Sequence, residues 1–182
     1  PRTLDLADLV GRKSHFLLGP RQTGKSSLIA RAFMGPQVKI VDLLDHATFV
    51  DLSQNPSRIS QALGPAVKQV VIDEIQRLPD LLNEVHRLIE TRKIHFLLTG
   101  SSARKLRRTG INLLGGRART VFFHPLTVHE LGKRFELTRA LNQGLLPSIY
   151  FSDDPAADLT AYTGTYLQEE IVAEAATRNL PA

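Results

Sequence analysis

Gly19-Pro20-Arg21-Gln22-Thr23-Gly24-Lys25-Ser26 is the stretch of this 182-residue chain that decides its fold class. It fits the pattern G-x-x-x-x-G-K-[ST] of phosphate-binding loops at every position. The loop follows a short apolar run, His15–Leu18, which predicts a buried parallel strand, and it precedes helical spacing from Ser27 to Phe33. A loop between a strand and a helix is the setting that this motif needs. The sequence therefore predicts a binding site for a nucleoside triphosphate.

Each part of this loop has a chemical role. The glycines let the backbone wrap so that successive N–H groups point at the β- and γ-phosphates, and the following helix adds the positive end of its dipole. Lys25 is predicted to reach the β/γ oxygens, and the Ser26 hydroxyl to complete the coordination shell of Mg²⁺. We therefore expect consecutive residues to bind the nucleotide: Gly19, Pro20, Arg21, Gln22, Thr23, Gly24, Lys25, Ser26 and Ser27.

A second signal is the apolar run Val70-Val71-Ile72, which ends in Asp73-Glu74. At the carboxyl end of a strand, Asp73 can hold Mg²⁺ directly or through a water, and Glu74 can orient and polarise the attacking water. The alternative interpretation is a buried strand that happens to end in two solvated acids. Glu74 also disfavours a small-molecule phosphotransferase, because such enzymes attack with a substrate hydroxyl and many have no acid at this place.

A third signal is the stretch Leu97–Ser102, at the end of the next apolar run. In the additional-strand class of ATPases this strand lies between the phosphate-loop strand and the Asp-Glu strand, and its last polar side chain faces the γ-phosphate and the water. Thr99 or Ser101 is predicted to supply that hydrogen bond, and Thr99 is the candidate catalytic residue. The alternative interpretation is a plain strand end followed by turn residues.

Hydrolysis of a nucleoside triphosphate also needs a cation near the transferred phosphoryl group. The first candidates are Arg117 and Arg119, which follow a pair of glycines, and the second are Arg104, Arg107 and Arg108. Arg117 is the candidate catalytic arginine, acting on the nucleotide of a neighbouring subunit. Such a finger in trans requires a homo-oligomer. The alternative interpretation is that these arginines are only surface charge.

The charge of the chain bears on its partners. A net charge of +5 is suggestive of a polyanionic partner such as DNA, and a basic cluster is formed by Arg104, Lys105, Arg107 and Arg108. The alternative interpretation is a solvated face, or a surface that faces nucleotide phosphates across a subunit boundary. The absence of cysteine excludes disulfides, thiolate metal sites and thiol catalysis. No apolar run approaches the ~20 residues of a membrane span, so we expect a cytoplasmic protein with no membrane partner.

Strand and helix signals alternate through residues 1–125, which predicts an α/β fold with a parallel sheet and helices on both faces. The expected strands lie in the order 5-1-4-3-2 and cover His15–Leu18, Val38–Asp42, Val67–Asp73, Ile94–Thr99 and Thr120–Phe123. Residues 1–125 are thus predicted to form an ATPase core of P-loop type. Residues 126–182 are predicted to form a small helical subdomain that leads to a further C-terminal domain, with helical runs at 128–134, 138–143 and 156–178.

The motifs together carry a family resemblance. The chain resembles the prokaryotic AAA-type ATPases, related to the wider AAA+ group, that carry an uncharacterised C-terminal domain with nuclease-like character. The matching stretches span most of the chain: Gly19–Leu28, Val70–Leu82, Phe96–Leu106, Leu114–Arg117, Pro125–Glu130, Gly144–Pro147 and Tyr166–Asn179. The resemblance implies that this chain is the ATPase part and that one partner is the C-terminal domain of the same protein.

The motifs predict a function in outline. We expect a domain that binds ATP and Mg²⁺ and hydrolyses ATP as a switch or motor, with Lys25, Ser26, Asp73 and Glu74 at its centre. ATP is favoured over GTP because the sequence has no Asn-Lys-x-Asp motif to read guanine. The alternative is a nucleotide-gated module that binds a protein or DNA and hydrolyses little.

Overall fold

The computed structural model of the protein describes residues 2–101 and 114–166. The chain forms two compact units, one over residues 2–124 and one that begins at Pro125. The helices of the first unit are α1 (Leu6–Arg12), α2 (Lys25–Ala32), α3 (His46–Gln54), α4 (Arg58–Gln61) and α5 (Leu81–Arg92). Its strands are β1 (Ser14–Leu18), β2 (Val38–Asp42), β3 (Gln69–Asp73), β4 (His95–Gly100) and β5 (Ala118–Phe122).

The five strands form one sheet in the order β2-β3-β4-β1-β5, and every neighbouring pair is parallel. Counted from the other edge, this is the predicted order 5-1-4-3-2, which is confirmed. The register brings the strand ends together, because Leu18 lies opposite both Gly100 and Phe122, and Asp42 lies opposite Asp73. The carboxyl ends of all five strands therefore meet along one edge of the sheet, where open α/β sheets bind their ligands.

The apolar strands are buried on both faces of the sheet, because side chains alternate between the faces. On one face Leu17, Val71 and Leu97 pack with α1 and α2. On the other face Phe16 and Leu18 pack in a larger cluster with α5. This double burial explains why the central strands have continuous apolar runs in place of an alternating pattern.

Helix α5 has apolar positions that recur at helical spacing, which gives it one apolar face. Leu81, Val85 and Leu88 are fully buried and face the larger cluster. The helix runs to Arg92 and stops at Lys93, whose φ of 54° is left-handed. Helix α5 therefore packs against this face of the sheet.

The described part of the second unit, residues 125–166, contains α-helices at Val128–Leu131, Leu137–Gln143, Pro147–Tyr150 and Pro155–Tyr166. Thr127 is the N-cap of the first of these helices. Its side chain accepts from the Glu130 N–H, and the Glu130 carboxylate accepts from the Thr127 N–H, which forms a capping box. The predicted helical run 156–178 is described only as far as Tyr166. Within 2–101 and 114–166, no helix has the length and apolar character that crossing a membrane requires.

Candidate active site

The loop between β1 and α2 lies at the carboxyl edge of the sheet and has an unusual backbone. Gln22 and Gly24 have left-handed φ angles of 61° and 90°, and Gly24 is the residue before α2. Thr23 is fully buried, and its hydroxyl donates to the Pro20 carbonyl oxygen at 2.9 Å, which closes the loop on itself. A hydrogen bond within the loop therefore supports its conformation.

Gly19 starts this loop at a point where a side chain has no room. A Cβ at position 19 would lie 2.0 Å from the backbone oxygen of Phe123. The Gly19 N–H donates to the Gly100 carbonyl at 3.1 Å, and the Phe123 N–H donates to the Leu18 carbonyl at 2.7 Å. The first residue of the loop is therefore fixed between the ends of β4 and β5 by backbone contacts that only glycine allows.

Lys25 is the first residue of α2, and its side chain is only 7% exposed. Its Nζ donates to the carbonyl oxygens of Gly19 at 2.6 Å and Pro20 at 2.9 Å. A buried ammonium group is tolerated only with such hydrogen-bond partners, because removing a charge from water is costly. The structure thus directs the lysine back across its own loop, beside the backbone that would surround a phosphate.

Four other residues of the predicted nucleotide-binding set have exposed side chains: Arg21, Gln22, Ser26 and Ser27. The Ser26 hydroxyl donates to Asp73 Oδ2 at 3.4 Å, which links the loop to the end of β3. The structure therefore brings together the two residues predicted to hold Mg²⁺. A hydroxyl and a carboxylate are hard oxygen ligands of the kind that Mg²⁺ takes with substrate phosphates and water, so the donor set fits this ion.

Thr99 connects the two acidic residues at the end of β3. Its fully buried hydroxyl donates to Asp73 Oδ1 and accepts from the Glu74 N–H at 3.1 Å. The hydroxyl hydrogen is directed at Asp73. Ser101, the other residue predicted to hydrogen-bond near the γ-phosphate, has a buried Oγ without a partner among the described residues.

Glu74 has a backbone conformation that is rare for a residue with a side chain. Its φ of 60° and ψ of 46° are left-handed, which costs an L-residue roughly 1–2 kcal/mol. The Glu74 carboxylate accepts a hydrogen bond from Gln76 Nε2. Backbone strain of this kind persists where surrounding contacts impose it, and it is concentrated in active sites.

Arg117 lies at the other end of the sheet. It directly precedes β5, whose first residue, Ala118, lies opposite Ser14 at the start of β1. A strand of five residues such as β1 spans about 16 Å, and this length separates Arg117 from the loop of its own chain. Arg117 donates to Glu90 on α5, and this hydrogen bond together with the positive charge lowers the pKa of the Glu90 carboxyl.

Arg119, the other described candidate arginine, is not brought to the loop either. Arg119 lies on β5 with an exposed side chain, one residue beyond the start of that edge strand. The remaining candidates and the basic cluster lie outside the described residues: Arg104, Lys105, Arg107 and Arg108.

Two residues beside the site were not predicted. Arg2 donates to the Thr23 carbonyl in the loop, and its guanidinium lies 4.2 Å from the centre of the Phe123 ring. No local pattern indicates this contact, because Arg2 is distant in sequence from both partners. Gln76 donates to the Glu74 carboxylate and is only two residues from it. The sequence alone therefore places Gln76 close to Glu74.

Comparisons with known proteins extend this description. The model of one protein family, described as an AAA domain, matches residues 11–132. Two curated relatives, uncharacterised proteins of Mycobacterium bovis and Mycobacterium tuberculosis, are each 28% identical over 159 residues. These matches cover 85% of this chain but 35% of each relative, so the chain spans about a third of their length. A chain in a solved structure of two coordinating Pif1 helicases at forked double-stranded DNA is 14% identical, with a TM-score of 0.48, over 89% of this chain and 51% of that one.

Proposed function

The chain belongs to the AAA domain family, and on this premise we propose that it binds ATP with Mg²⁺ and hydrolyses it. The observation that carries this proposal is the hydrogen-bonded series at the sheet edge. Ser26 bonds to Asp73, Asp73 to Thr99, and Thr99 to the backbone of Glu74. This series links the phosphate-binding loop, the candidate metal ligands and the candidate water-activating acid in one place.

Each residue of the series has a proposed task. The loop N–H groups and Lys25 hold the phosphates, since oriented N–H dipoles and an ammonium group bind phosphate oxygens strongly. Ser26 and Asp73 would hold Mg²⁺, which when bound neutralises charge on the phosphate oxygens. Glu74 orients the attacking water and accepts its proton as general base. Thr99 keeps Asp73 and Glu74 in their relative positions.

We propose that the nucleotide cycle drives an effector that lies outside this chain. The chain spans 35% of the length of its curated relatives, and the resemblance stated above implies a nuclease-like C-terminal domain. The basic cluster supports DNA as a partner, since clustered positive charge binds the phosphate backbone. The chain would then act as a switch or motor for that effector domain.

A second candidate function is a nucleotide-gated module that hydrolyses slowly. It is favoured by the position of Arg117, which is paired with Glu90 at the end of the sheet away from the loop. Without the Arg117 guanidinium at the γ-phosphate of its own subunit, turnover by a single subunit is expected to be slow. The two candidates differ in whether a second subunit or DNA raises the rate.

The proposed function predicts that Mg-ATP raises the Tm of the intact protein and that phosphate is released. Phosphate release is measured with and without double-stranded DNA and at several protein concentrations. Stimulation by DNA would support a DNA-linked ATPase, and negligible turnover under all conditions with a clear rise in Tm would favour the module. A Tm that Mg-ATP leaves unchanged, with no phosphate released, would contradict both.

If Arg117 acts on a neighbour's nucleotide, Arg117→Ala should lower kcat by about 10³-fold or more while the affinity for ATP changes little. The physical reason is that the guanidinium stabilises charge that develops only in the transition state. Activity per subunit should also rise with protein concentration, because a finger in trans requires assembly.

Two further variants separate this role from the ion pair with Glu90. Glu90→Gln removes the charged partner but keeps the guanidinium, so its kcat should stay near that of the parent. Arg12→Ala removes an exposed arginine that is paired with Asp8 on α1, and it serves as the matched control. A rate independent of concentration, with Arg117→Ala equal to Arg12→Ala, would reduce Arg117 to surface charge.

A further inference from the structure

Gln76 lies in a single 3₁₀ turn, Ile75–Arg77, that directly follows Glu74. Its side chain turns back so that Nε2 donates to Oε2 of the Glu74 carboxylate. A carboxylate without a proton only accepts hydrogen bonds, so the amide nitrogen must face Glu74. This hydrogen bond therefore fixes the orientation of the amide, and the amide oxygen, Oε1, points away from the Glu74 carboxylate.

Gln76 Oε1 is buried, and it has no hydrogen-bond partner among the described residues. A buried acceptor without a partner costs free energy, so the packing around it has to hold the amide in this position. One neighbour of this oxygen is Gly100 at the end of β4, where an added Cβ would lie 2.6 Å from Oε1. The next atom, Leu18 Cδ2, would lie at 3.4 Å, which is close to an ordinary contact.

Position 100 therefore requires glycine because a Cβ there would be too close to the Gln76 amide. Gly100 is the last residue of β4, and its φ is not among the left-handed angles of this chain's glycines. A larger residue could adopt the backbone of a strand end, but its Cβ would displace the Gln76 amide. The residue before it, Thr99, holds the backbone N–H of Glu74. The end of β4 therefore constrains Glu74 at both its backbone and its carboxylate.

We propose that Gln76 is a positioning residue for Glu74 and that Gly100 provides the space that this amide occupies. The inference rests on the proposed hydrolysis of ATP by Glu74. Gln76 fixes one carboxylate oxygen, so the other oxygen is presented to the attacking water in a single orientation. Without the amide, the carboxylate rotates about its side-chain bonds and spends less time in that orientation, which lowers the rate without weakening the binding of ATP.

The first test replaces Gln76 with methionine, which has a similar length but cannot donate to a carboxylate. In the intact protein Gln76→Met should lower kcat about 10–100-fold, by analogy with the loss of residues that orient metal ligands through hydrogen bonds, with KM and the affinity for ATP within about twofold. Gln54→Met, at an exposed position at the end of α3, is the matched control and should match the parent. In a Glu74→Gln background, Gln76→Met should have no further effect on kcat, because it acts only through Glu74.

The second test needs no nucleotide. Gly100→Ala should lower the Tm of the parent by several degrees, because the new Cβ meets Gln76 Oε1. In a Gln76→Ala background the same change should lower Tm much less, because the atom that it meets is gone. Equal losses of Tm in the two backgrounds would overturn the assigned role of Gly100 in accommodating the amide.

The kinetic outcomes separate this inference from the proposed function. Turnover by the parent together with an unchanged kcat for Gln76→Met would overturn the role of Gln76 and leave the proposed function standing. A loss of kcat that persists in full in the Glu74→Gln background would also overturn it, since the effect would then not pass through Glu74. A parent without ATP turnover would overturn the proposed function and this positioning role together.

Discussion

Lys25→Ala is expected to remove the stabilisation that Mg-ATP gives the protein, together with its ATP turnover. At a hundredfold excess over the dissociation constant, ATP should stabilise the parent by about 2.7 kcal/mol. A hundredfold loss of affinity would leave about 0.4 kcal/mol at the same ATP concentration. The physical reason is the loss of a buried ammonium group, whose hydrogen bonds to phosphate oxygens are charge-assisted and strong.

The structure adds a requirement to the design of this experiment. Lys25 Nζ also donates to the carbonyls of Gly19 and Pro20, so the alanine variant loses contacts within the loop itself. The Tm without nucleotide must therefore be measured first, and only the further rise with Mg-ATP is compared. Lys39→Ala, an exposed lysine on β2, is the matched control and should keep the full rise. An equal rise in the two variants would exclude Lys25 from nucleotide binding.

Glu74→Gln is expected to retain ATP binding and to lower turnover about 10²–10⁴-fold, the range that a general base contributes. The amide has nearly the shape of the carboxylate, and its oxygen can still accept from Gln76 Nε2. It cannot accept a proton from the attacking water. The shift in Tm with Mg-ATP should therefore match that of the parent, while phosphate release falls.

The control for this substitution is Glu136→Gln, at an exposed position in the second unit. Its turnover should equal that of the parent, which shows that loss of one acidic charge is not the cause. Rapid phosphate release by Glu74→Gln would remove Glu74 from the mechanism and point to another base. Loss of the shift in Tm would mean instead that Glu74 contributes to binding.

The fold was largely predictable because its signals are local in sequence. The loop from Gly19 to Ser26 fixes β1 and α2, and the apolar runs fix the other strands, so that β2 was predicted with its observed bounds. The strand order was predicted from the additional-strand class of ATPases, to which the phosphate-binding loop and the Asp73-Glu74 pair pointed. The bounds of the other four strands differ by at most two residues, because the hydrogen bonding between strands that ends each strand is not visible in a single run of sequence.

The details of the site were less predictable because they join residues that are distant in sequence. The link from Thr99 to Asp73, the contact from Arg2 to Thr23 and the close approach of Gly100 to Gln76 all depend on how the sheet brings segments together. The position of Arg117 is different. It directly precedes a strand that is parallel to β1, so the sequence already implied that Arg117 lies at the amino-terminal ends of the strands, away from the loop.

Because the backbone at Glu74 is left-handed, the residue that would give the most stable protein at this position differs from the residue that turnover requires. Glycine would relieve the roughly 1–2 kcal/mol of strain there, offset in part by the ~0.5–1 kcal/mol that a glycine loses through its freer unfolded state. A screen for heat resistance alone would thus accept glycine at position 74 and discard the carboxylate. Natural enzymes tolerate such local instability because function requires it. Thermostabilised versions of this protein should therefore be engineered elsewhere, with position 74 left unchanged.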